Sequence, residues 1–163
     1  MTIFDKFNLK DRVAIVTGGG GQLGTEFCKT LAEAGASVVV ADLLLDHAER
    51  SNKILADAGY PSFPSQLDIT RVDSIAKTIS DTIKNFGRID ILVNCAAMDP
   101  KFDPDAAARG ITPGSFEDYP LDQWNAALNV NLTGMFLITQ ACVKQMVAQG
   151  KRAALSTSAP PTV

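Results

Sequence analysis

The most constraining feature of this sequence is a cluster of five glycines between residues 18 and 24, which separates a short apolar run from a segment with helical spacing. A diphosphate can approach backbone N–H groups closely only where no Cβ obstructs it, and the start of a helix adds positive potential. Gly19, Gly21 and Gly24 match the G-x-G-x-x-G pattern in this context. The pattern predicts a dinucleotide-binding loop in which Gly24 lets the helix pack closely on the strand. A flexible glycine turn is the alternative.

Apolar runs and helix-like segments alternate along the rest of the chain, which indicates a parallel sheet with crossover helices. Strands are predicted at residues 12–17, 37–41, 62–67 and 89–93, and later helices at about 46–58, 70–86 and 122–149. Thr70 can cap the second of these helices, and Gly87 ends it. Apolar stripes are predicted on two helices, at Leu23, Phe27, Leu31 and Ala34, and at Val72, Ile75, Ile79, Ile83 and Phe86.

These elements define an α/β fold, a Rossmann-type doubly wound parallel sheet with helices on both faces, incomplete at its C-terminal end. Residues 1–163 are interpreted as a single partial domain, with an atypical tail at 151–163. Residues 153–155 offer a short fifth strand, although alanine is a poor strand former.

Composition excludes several classes of function. The net charge is −3 without a basic patch, so neither nucleic acid nor a membrane is an expected partner. The first ten residues are too polar for a secretory signal, and no apolar run reaches the roughly 18 residues of a membrane helix. These observations predict a cytoplasmic protein. Cys28, Cys95 and Cys142 have no metal-binding spacing and are interpreted as buried reduced thiols, with no metal site.

Two aspartates follow predicted strands. Asp42 lies about 20 residues beyond the glycines, where a carboxylate accepts both hydroxyls of an adenosine ribose. Because it would repel a 2′-phosphate, it favours NAD over NADP, although Asp42 could instead cap the following helix. Asp68 lies where an adenine could bind, or it is a simple turn or cap residue.

Several segments resemble the short-chain dehydrogenase/reductase family over residues 8–149. They are the glycine loop with Thr17, Asp42, Leu67-Asp68-Ile69-Thr70, Leu92-Val93-Asn94-Cys95-Ala96-Ala97 and Asn129-Val130-Asn131-Leu132-Thr133-Gly134. The resemblance implies that the cofactor is bound by Thr17, Gly18, Gly19, Gly21, Gln22, Leu23, Gly24, Asp42, Leu43, Asp68, Ile69, Asn94, Cys95 and Ala96.

The resemblance also implies individual roles. Asn94 would stabilise the central sheet, and Ala96 would lie against the cofactor. Asn131 resembles the catalytic asparagine that binds a water in the proton relay, whereas spacing alone would make it a polar helix residue satisfied by the backbone. The classical loop TGxxxGxG has its central glycine replaced by Gln22, and the glycines instead fit TGxxGxxG, as in the extended branch. The NVNLTG segment nevertheless favours a classical member with a variant loop.

Hydride transfer in this family requires a YxxxK motif and a serine. Neither Tyr60 nor Tyr119 is followed by lysine at that spacing. Ser158, or Ser156, falls near the expected place of the catalytic serine, and an incidental tail serine is the alternative. We therefore expect a C-terminally truncated reductase and hypothesise a frameshift near residue 150. A YxxxK motif read out of frame downstream in the coding sequence would support this hypothesis.

Three functions remain open. The first is an NAD-dependent oxidoreductase that transfers hydride between nicotinamide and a small alcohol or carbonyl substrate, catalytically incomplete in this chain. The second is a non-catalytic dinucleotide-binding or interaction protein, and the third is a fragment of an extended-type nucleotide-sugar epimerase or dehydratase. A homo-oligomer is possible in each case. The loop 98–120 could border a polar substrate, although a solvated loop is the plainer interpretation.

Overall fold

The computed structural model describes residues 7–98 and 119–150, together with the backbone of residues 154–157. The strands are β1 (Val13–Thr17), β2 (Ser37–Asp42), β3 (Ser62–Gln66), β4 (Ile91–Asn94) and β5 (Ala154–Thr157). The helices are α1 (Gln22–Glu33), α2 (Leu45–Asp57), α3 (Val72–Phe86), α4 (Leu121–Leu128) and α5 (Met135–Ala148). Within the described residues, the strands form one parallel sheet in the order β3-β2-β1-β4-β5. The predicted α/β fold with a Rossmann-type parallel sheet is confirmed.

Helices cover both faces of this sheet, which is why the central strands are apolar at almost every position. Ile15 of β1 faces one core cluster together with Ile75 of α3 and Ile138 of α5. Its neighbour Val16 faces the opposite cluster, with Cys28 of α1 and Leu55 of α2. Each of these side chains is almost fully buried. Burial of one such aliphatic side chain stabilises the fold by about 2 kcal/mol.

The predicted stripe of α1 is wrong by one residue. The buried positions are Gly24, Cys28 and Ala32, whereas Leu23 is exposed. Phe27 and Leu31 pack only at the edge of the core cluster. Small residues face the sheet because the helix lies very close to the loop and the strands, and a bulky side chain would separate them.

The start of α3 also differs from the prediction. Its N-cap is Arg71, without a side-chain cap, while the Thr70 hydroxyl donates to Asp68 Oδ1 at 2.6 Å. Val72 was predicted to belong to the apolar stripe, but it is exposed, so the stripe begins at Ile75. The helix ends as predicted, at Gly87, whose φ of 76° lies in the left-handed region that favours glycine.

Asp90 fixes the start of β4, which begins at Ile91 rather than at the predicted residue 89. Its buried carboxylate accepts hydrogen bonds from Arg88, from the Val13 N–H at 3.0 Å and from Arg12 at 3.1 Å. Burial opposes ionisation of Asp90, but the hydrogen bonds outweigh burial and lower its pKa. The carboxylate thereby ties β1 to β4 at the end of the sheet away from the glycine loop.

The predicted helix at 122–149 exists, but a π-helical segment, Asn129–Gly134, interrupts it. The whole stretch Leu121–Ala148 is long and apolar enough to cross a membrane, which corrects the expectation that no segment reaches that length. Length and composition alone are weak evidence for a membrane span, because core helices pass the same test. Here Ile138, Cys142 and Met146 of α5 pack in the core beside the sheet.

The two edges of the sheet are formed by β3 and β5. Pro61 O accepts from Val38 N–H and Leu67 N–H donates to Asp42 O, so alternate residues from 61 to 67 face β2. Pro64 therefore lies on the outward side of β3. At the other edge, β5 pairs with β4 over Ala154–Thr157, so the short fifth strand forms.

Cys28 and Cys142 are fully buried, and burial raises the pKa of each thiol to about 12. Cys95 is only half-buried, so the expectation of three buried thiols is correct for two of them.

Candidate functional site

The glycine loop connects β1 to α1 at the carboxyl end of the sheet. Gly18 has a φ of +65°, and a Cβ at that position would come within 2.8 Å of Ala96 Cα. Gly21 is the N-cap of α1. The positive φ and the close approach of the Ala96 backbone both require glycine at position 18. The predicted strand-to-helix loop is therefore present.

The sequence predicted that Gly24 lets α1 pack closely on the strand. In the structure, Gly24 instead lets α1 pack closely on the glycine loop. A Cβ on Gly24 would lie 2.0 Å from the Gly18 carbonyl oxygen, a distance no pair of atoms can tolerate. Gly20 is similarly crowded, because its Cβ would lie 2.6 Å from His47 Cβ in the first turn of α2. Both contacts fix the loop between two helices.

Some backbone N–H groups of the glycine loop donate to protein acceptors, and others have no acceptor within α1. Gly19 N–H donates to Ala41 O, Gly20 N–H to Asp42 and Gly21 N–H to Gly18 O. The first hydrogen bond within α1 is donated by Thr25 N–H to Gly21 O. The N–H groups of Gln22, Leu23 and Gly24 precede it, so they have no acceptor within the helix and form the positive end of α1.

Asp42 is held in one orientation at the end of β2. Its Oδ2 accepts from Gly20 N–H at 3.0 Å, and its Oδ1 accepts from Leu44 N–H at 3.1 Å. The N-cap of α2 is Leu44, so Asp42 is not the helix cap considered from the sequence. Each carboxylate oxygen retains a second lone pair, so the fixed group can still accept hydrogen bonds from a ligand.

Asp68 is held in a comparable way after β3. Its Oδ1 accepts from both the N–H and the hydroxyl of Thr70, and its own N–H donates to Ser74 Oγ at 2.9 Å. The carboxylate therefore also serves the turn that precedes α3. Ile69 beside it is almost buried, against Gly134 of the π-helical segment.

A cavity of about 930 Å³ lies between these elements. It brings together Thr17, Gly18, Gly21, Asp42, Leu43, Asp68, Ile69, Cys95 and Ala96 of the predicted cofactor residues. Gly19, Gln22, Leu23, Gly24 and Asn94 are not in its lining. Sequence reasoning missed Leu44, His47, Leu67, Thr70, Ala97, Met98, Gln123 and Val130, which complete the wall. Of these, Leu67, Thr70, Ala97 and Val130 carried a signal, because they belong to the quoted family segments.

The described wall of this cavity carries carboxylates without lysine or arginine. Asp42 and Asp68 are its carboxylates, and the described residues of its lining include no lysine or arginine. A diphosphate bound here would be held by backbone N–H groups and the start of α1, not by cationic side chains.

The Thr17 side chain ties β1 to the end of β4 beside the cavity, and the Asn94 side chain ties β4 to α5. The Thr17 hydroxyl oxygen accepts from the N–H groups of Cys95 and Ala96, both at 3.2 Å. Asn94 is buried, and its side-chain amide donates to Thr139 Oγ1 of α5 at 3.0 Å. These bonds fix the backbone that forms one wall of the cavity.

Asn131 lies in the π-helical segment and is fully engaged with the backbone of Met98. Its Oδ1 accepts from Met98 N–H at 2.7 Å, and its Nδ2 donates to Met98 O at 2.9 Å. π-Helical turns are rare and frequently occur at functional sites. Ser158 and the loop after Met98 lie outside the described residues, and Ser156 is on β5, paired with Val93.

The parallel sheet, the glycine loop and the cavity at the carboxyl ends of its strands together define a Rossmann-type dinucleotide-binding domain. A sequence profile described as short chain dehydrogenase matches residues 12–159. The chain belongs to the short-chain dehydrogenase/reductase family.

Relatives of known name agree with this assignment. A short chain dehydrogenase/reductase of Aspergillus oryzae, astE, is 36% identical over 146 residues, which cover 89% of this chain and 52% of that protein. An NAD-dependent glycerol dehydrogenase of Listeria innocua is 31% identical over 148 residues, which cover 90% of this chain and 52% of that protein. The chain thus spans about half the length of the curated relatives it matches.

Solved structures share the fold. A short-chain type dehydrogenase/reductase from Mycobacterium marinum superposes with a TM-score of 0.86 at 28% identity, covering 98% of this chain and 60% of that chain. An NAD⁺-bound xylitol dehydrogenase gives a TM-score of 0.80 at 26% identity, covering 93% and 54%.

Proposed function

We propose that this chain forms the NAD-binding part of an oxidoreductase that transfers hydride between nicotinamide and a small alcohol or carbonyl substrate. The observation that carries the proposal is the carboxylate of Asp42, held by Gly20 N–H and Leu44 N–H at the wall of the cavity. NAD supplies the hydride chemistry. The chain supplies the backbone N–H groups of α1 for the diphosphate, Asp42 for the adenosine ribose, and Asp68 with Ile69 for the adenine.

The preference for NAD over NADP follows from the same carboxylate. Asp42 would have to break two hydrogen bonds to turn away from a 2′-phosphate. At a separation of about 5 Å and an effective dielectric constant of about 20, repulsion costs roughly 3 kcal/mol per unit charge. That is about a hundredfold in affinity. Among the described residues of the wall there is no lysine or arginine that would offset this repulsion.

Catalysis is proposed to be incomplete in this chain. Neither tyrosine has the lysine of a YxxxK motif. Asn131 remains the proposed relay asparagine and Ser158 the proposed catalytic serine. Both polar atoms of the Asn131 side chain bind the backbone of Met98. In a proton relay, Asn131 would therefore act first by holding the backbone beside the cavity in place.

The decisive experiment titrates the purified chain with NADH and with NADPH, following cofactor fluorescence, and screens alcohol and carbonyl substrates in parallel. We expect NADH to bind about a hundredfold more tightly than NADPH, without turnover. Tighter binding of NADPH would overturn the cofactor assignment. Turnover by this chain would overturn its proposed incompleteness.

The alternative is a non-catalytic dinucleotide-binding or interaction protein that keeps the fold without the chemistry. The two proposals separate when a C-terminal segment carrying Ser, Tyr and Lys is fused to the chain. Activity of the fusion supports the oxidoreductase. NADH binding without activity in the fusion supports the alternative.

A homo-oligomer is proposed from the exposed side chains of the long helix. An apolar stripe, defined as Leu121, Trp124, Leu128, Leu132 and Phe136, is between 38% and 71% exposed. Its spacing places it on one face of the helix, and apolar patches of this kind mark association surfaces. The cytoplasm is the proposed compartment, since its reducing conditions suit the free cysteines.

A further inference from the structure

A second depression adjoins the dinucleotide cavity. It is a groove of about 610 Å³ between β3 and α3, lined along most of that helix from Asp73 to Asn85. Its lining shares Leu43 and Asp68 with the lining of the dinucleotide cavity. The two spaces therefore adjoin at the place where the proposed function puts the adenine, and nothing in the proposed function uses the groove.

Asp68 is a fixed point on this border. Its N–H is held by Ser74 Oγ and its Oδ1 by Thr70. The exocyclic amine is the donor that adenine can offer to a carboxylate, so an adenine bound beside Asp68 directs its N6 towards the border. Leu43, which is 58% exposed, offers an apolar surface for the adenine ring.

The charges around the groove are nearly balanced by ion pairs. Arg71 pairs with Asp73 and Lys77 with Asp81, each at 2.7 Å. Asp68 is bonded to amide and hydroxyl groups rather than to a cation. The groove lining thus contains two cationic side chains and three carboxylates; Asp68 at the border is the carboxylate without a direct ion pair, and Arg71 acts on it only through space.

We propose that this groove is a subsite for a substituent on N6 of the adenine, and that it prefers a cationic substituent to an anionic one. The ligands are N6-extended adenine dinucleotides. The adenine lies in the cavity, and its substituent passes Asp68 and Leu43 into the groove. The proposal rests on the proposed function, because the adenine must first occupy the cavity.

The test compares three fluorescent ligands on the full chain: NADH, N6-(2-aminoethyl)-NADH and N6-carboxymethyl-NADH. We expect the aminoethyl compound to bind within about twofold of NADH, and the carboxymethyl compound to bind about threefold to tenfold more weakly than the aminoethyl compound. If NADH binds and both extended compounds bind at least tenfold more weakly, the groove proposal is wrong and the proposed function stands. If NADH does not bind, both are wrong.

Two matched variants locate the substituent. Lys77→Trp fills the groove, and Lys53→Trp is its control, since each lysine is about three-quarters exposed and pairs with an aspartate at i+4. We expect Lys77→Trp to weaken binding of the aminoethyl compound at least fivefold relative to binding of NADH. We expect Lys53→Trp to leave the ratio of these two affinities unchanged. An equal ratio in both variants would mean that the substituent points into solvent, and the proposal would fail.

Discussion

The glycine loop and the long helix both border the cavity, but they are built differently. At the loop, the N–H groups of Gly19, Gly20 and Gly21 all have protein acceptors, and any added atom at Gly24 meets backbone. At the helix, α4 has no buried residue, and the apolar stripe is exposed. The difference teaches that the loop side of the cavity is fixed by local backbone contacts, whereas the helix side leaves an apolar surface exposed.

The largest expected effect tests the rigidity of the loop. Gly24→Ala places a Cβ 2.0 Å from a carbonyl oxygen, so the loop or α1 must move. We expect a loss of at least about 3 kcal/mol in the free energy of unfolding. The matched change on the helix side, Gly134→Ala, would place a Cβ 2.8 Å from Ile69 Cγ1, 3.0 Å from Ile69 Cδ1 and 3.3 Å from the Asn129 carbonyl oxygen. Because the closest atoms belong to a side chain rather than to the backbone, and alanine favours helix, we expect a smaller loss of about 1 to 2 kcal/mol. Urea unfolding of both variants decides, and equal losses would remove the contrast.

The next effect concerns the cofactor. Asp42→Asn keeps the shape of the side chain and removes its charge. We expect NADH to bind about tenfold more weakly, and the preference for NADH over NADPH to fall by at least about tenfold. Asp46→Asn is the control, because this carboxylate is exposed and lies outside the cavity lining. A preference that survives Asp42→Asn would mean that another group selects the cofactor.

A smaller effect concerns pH. The pKa of Asp90 is lower in the folded protein, so its contribution to stability is complete above its unfolded pKa of about 3.9 and is lost as the pH falls through the folded value. Asp90→Asn should lower the free energy of unfolding by about 2 kcal/mol at pH 7. Asp90→Asn should also reduce the loss in the free energy of unfolding as the pH falls into the acid range. Thermal unfolding from pH 7 to pH 2 measures both. The exposed Asp57→Asn is the control, and an unchanged acid profile in Asp90→Asn would contradict the assignment.

The smallest effect on stability is expected on the apolar stripe. Leu132 is 59% exposed, so Leu132→Gln should change the free energy of unfolding by less than about 0.5 kcal/mol. It should reduce concentration-dependent association, measured by sedimentation. Ile54→Gln provides the control, because Ile54 is 48% exposed on α2, which packs on the opposite face of the sheet. Equal association of both variants and the unchanged chain would exclude the stripe as an interface.

The features that could be predicted from the sequence are those that depend only on neighbouring residues in the chain. Buried apolar runs, the glycine loop and the end of α3 at Gly87 each follow from hydrophobic patterning or backbone conformation. The inward face of α1 was missed because it uses Gly24, Cys28 and Ala32, whose small size serves a close approach that hydrophobic spacing does not reveal. The partners of a polar group are also invisible in a linear pattern.

The site illustrates the same limit. Asp42 was expected at the cavity, but its two backbone donors depend on how the loop and α2 come together. His47 had no signal, because it enters the wall only through contact of α2 with Gly20. The π-helical segment gave no signal in the hydrophobic spacing, and neither did the hydrogen bonds of Asn131 to the backbone of Met98, which lies far from it in the chain.

Pro64 has a consequence for how the sheet can be extended. A strand added beside β3 would need a donor at each outward residue, and proline has none at the middle of that edge. Extension by backbone pairing is thus blocked at the β3 edge of the sheet. The opposite edge is β5 (Ala154–Thr157), which contains no proline. Another strand can therefore pair with the sheet at the β5 edge but not along the β3 edge.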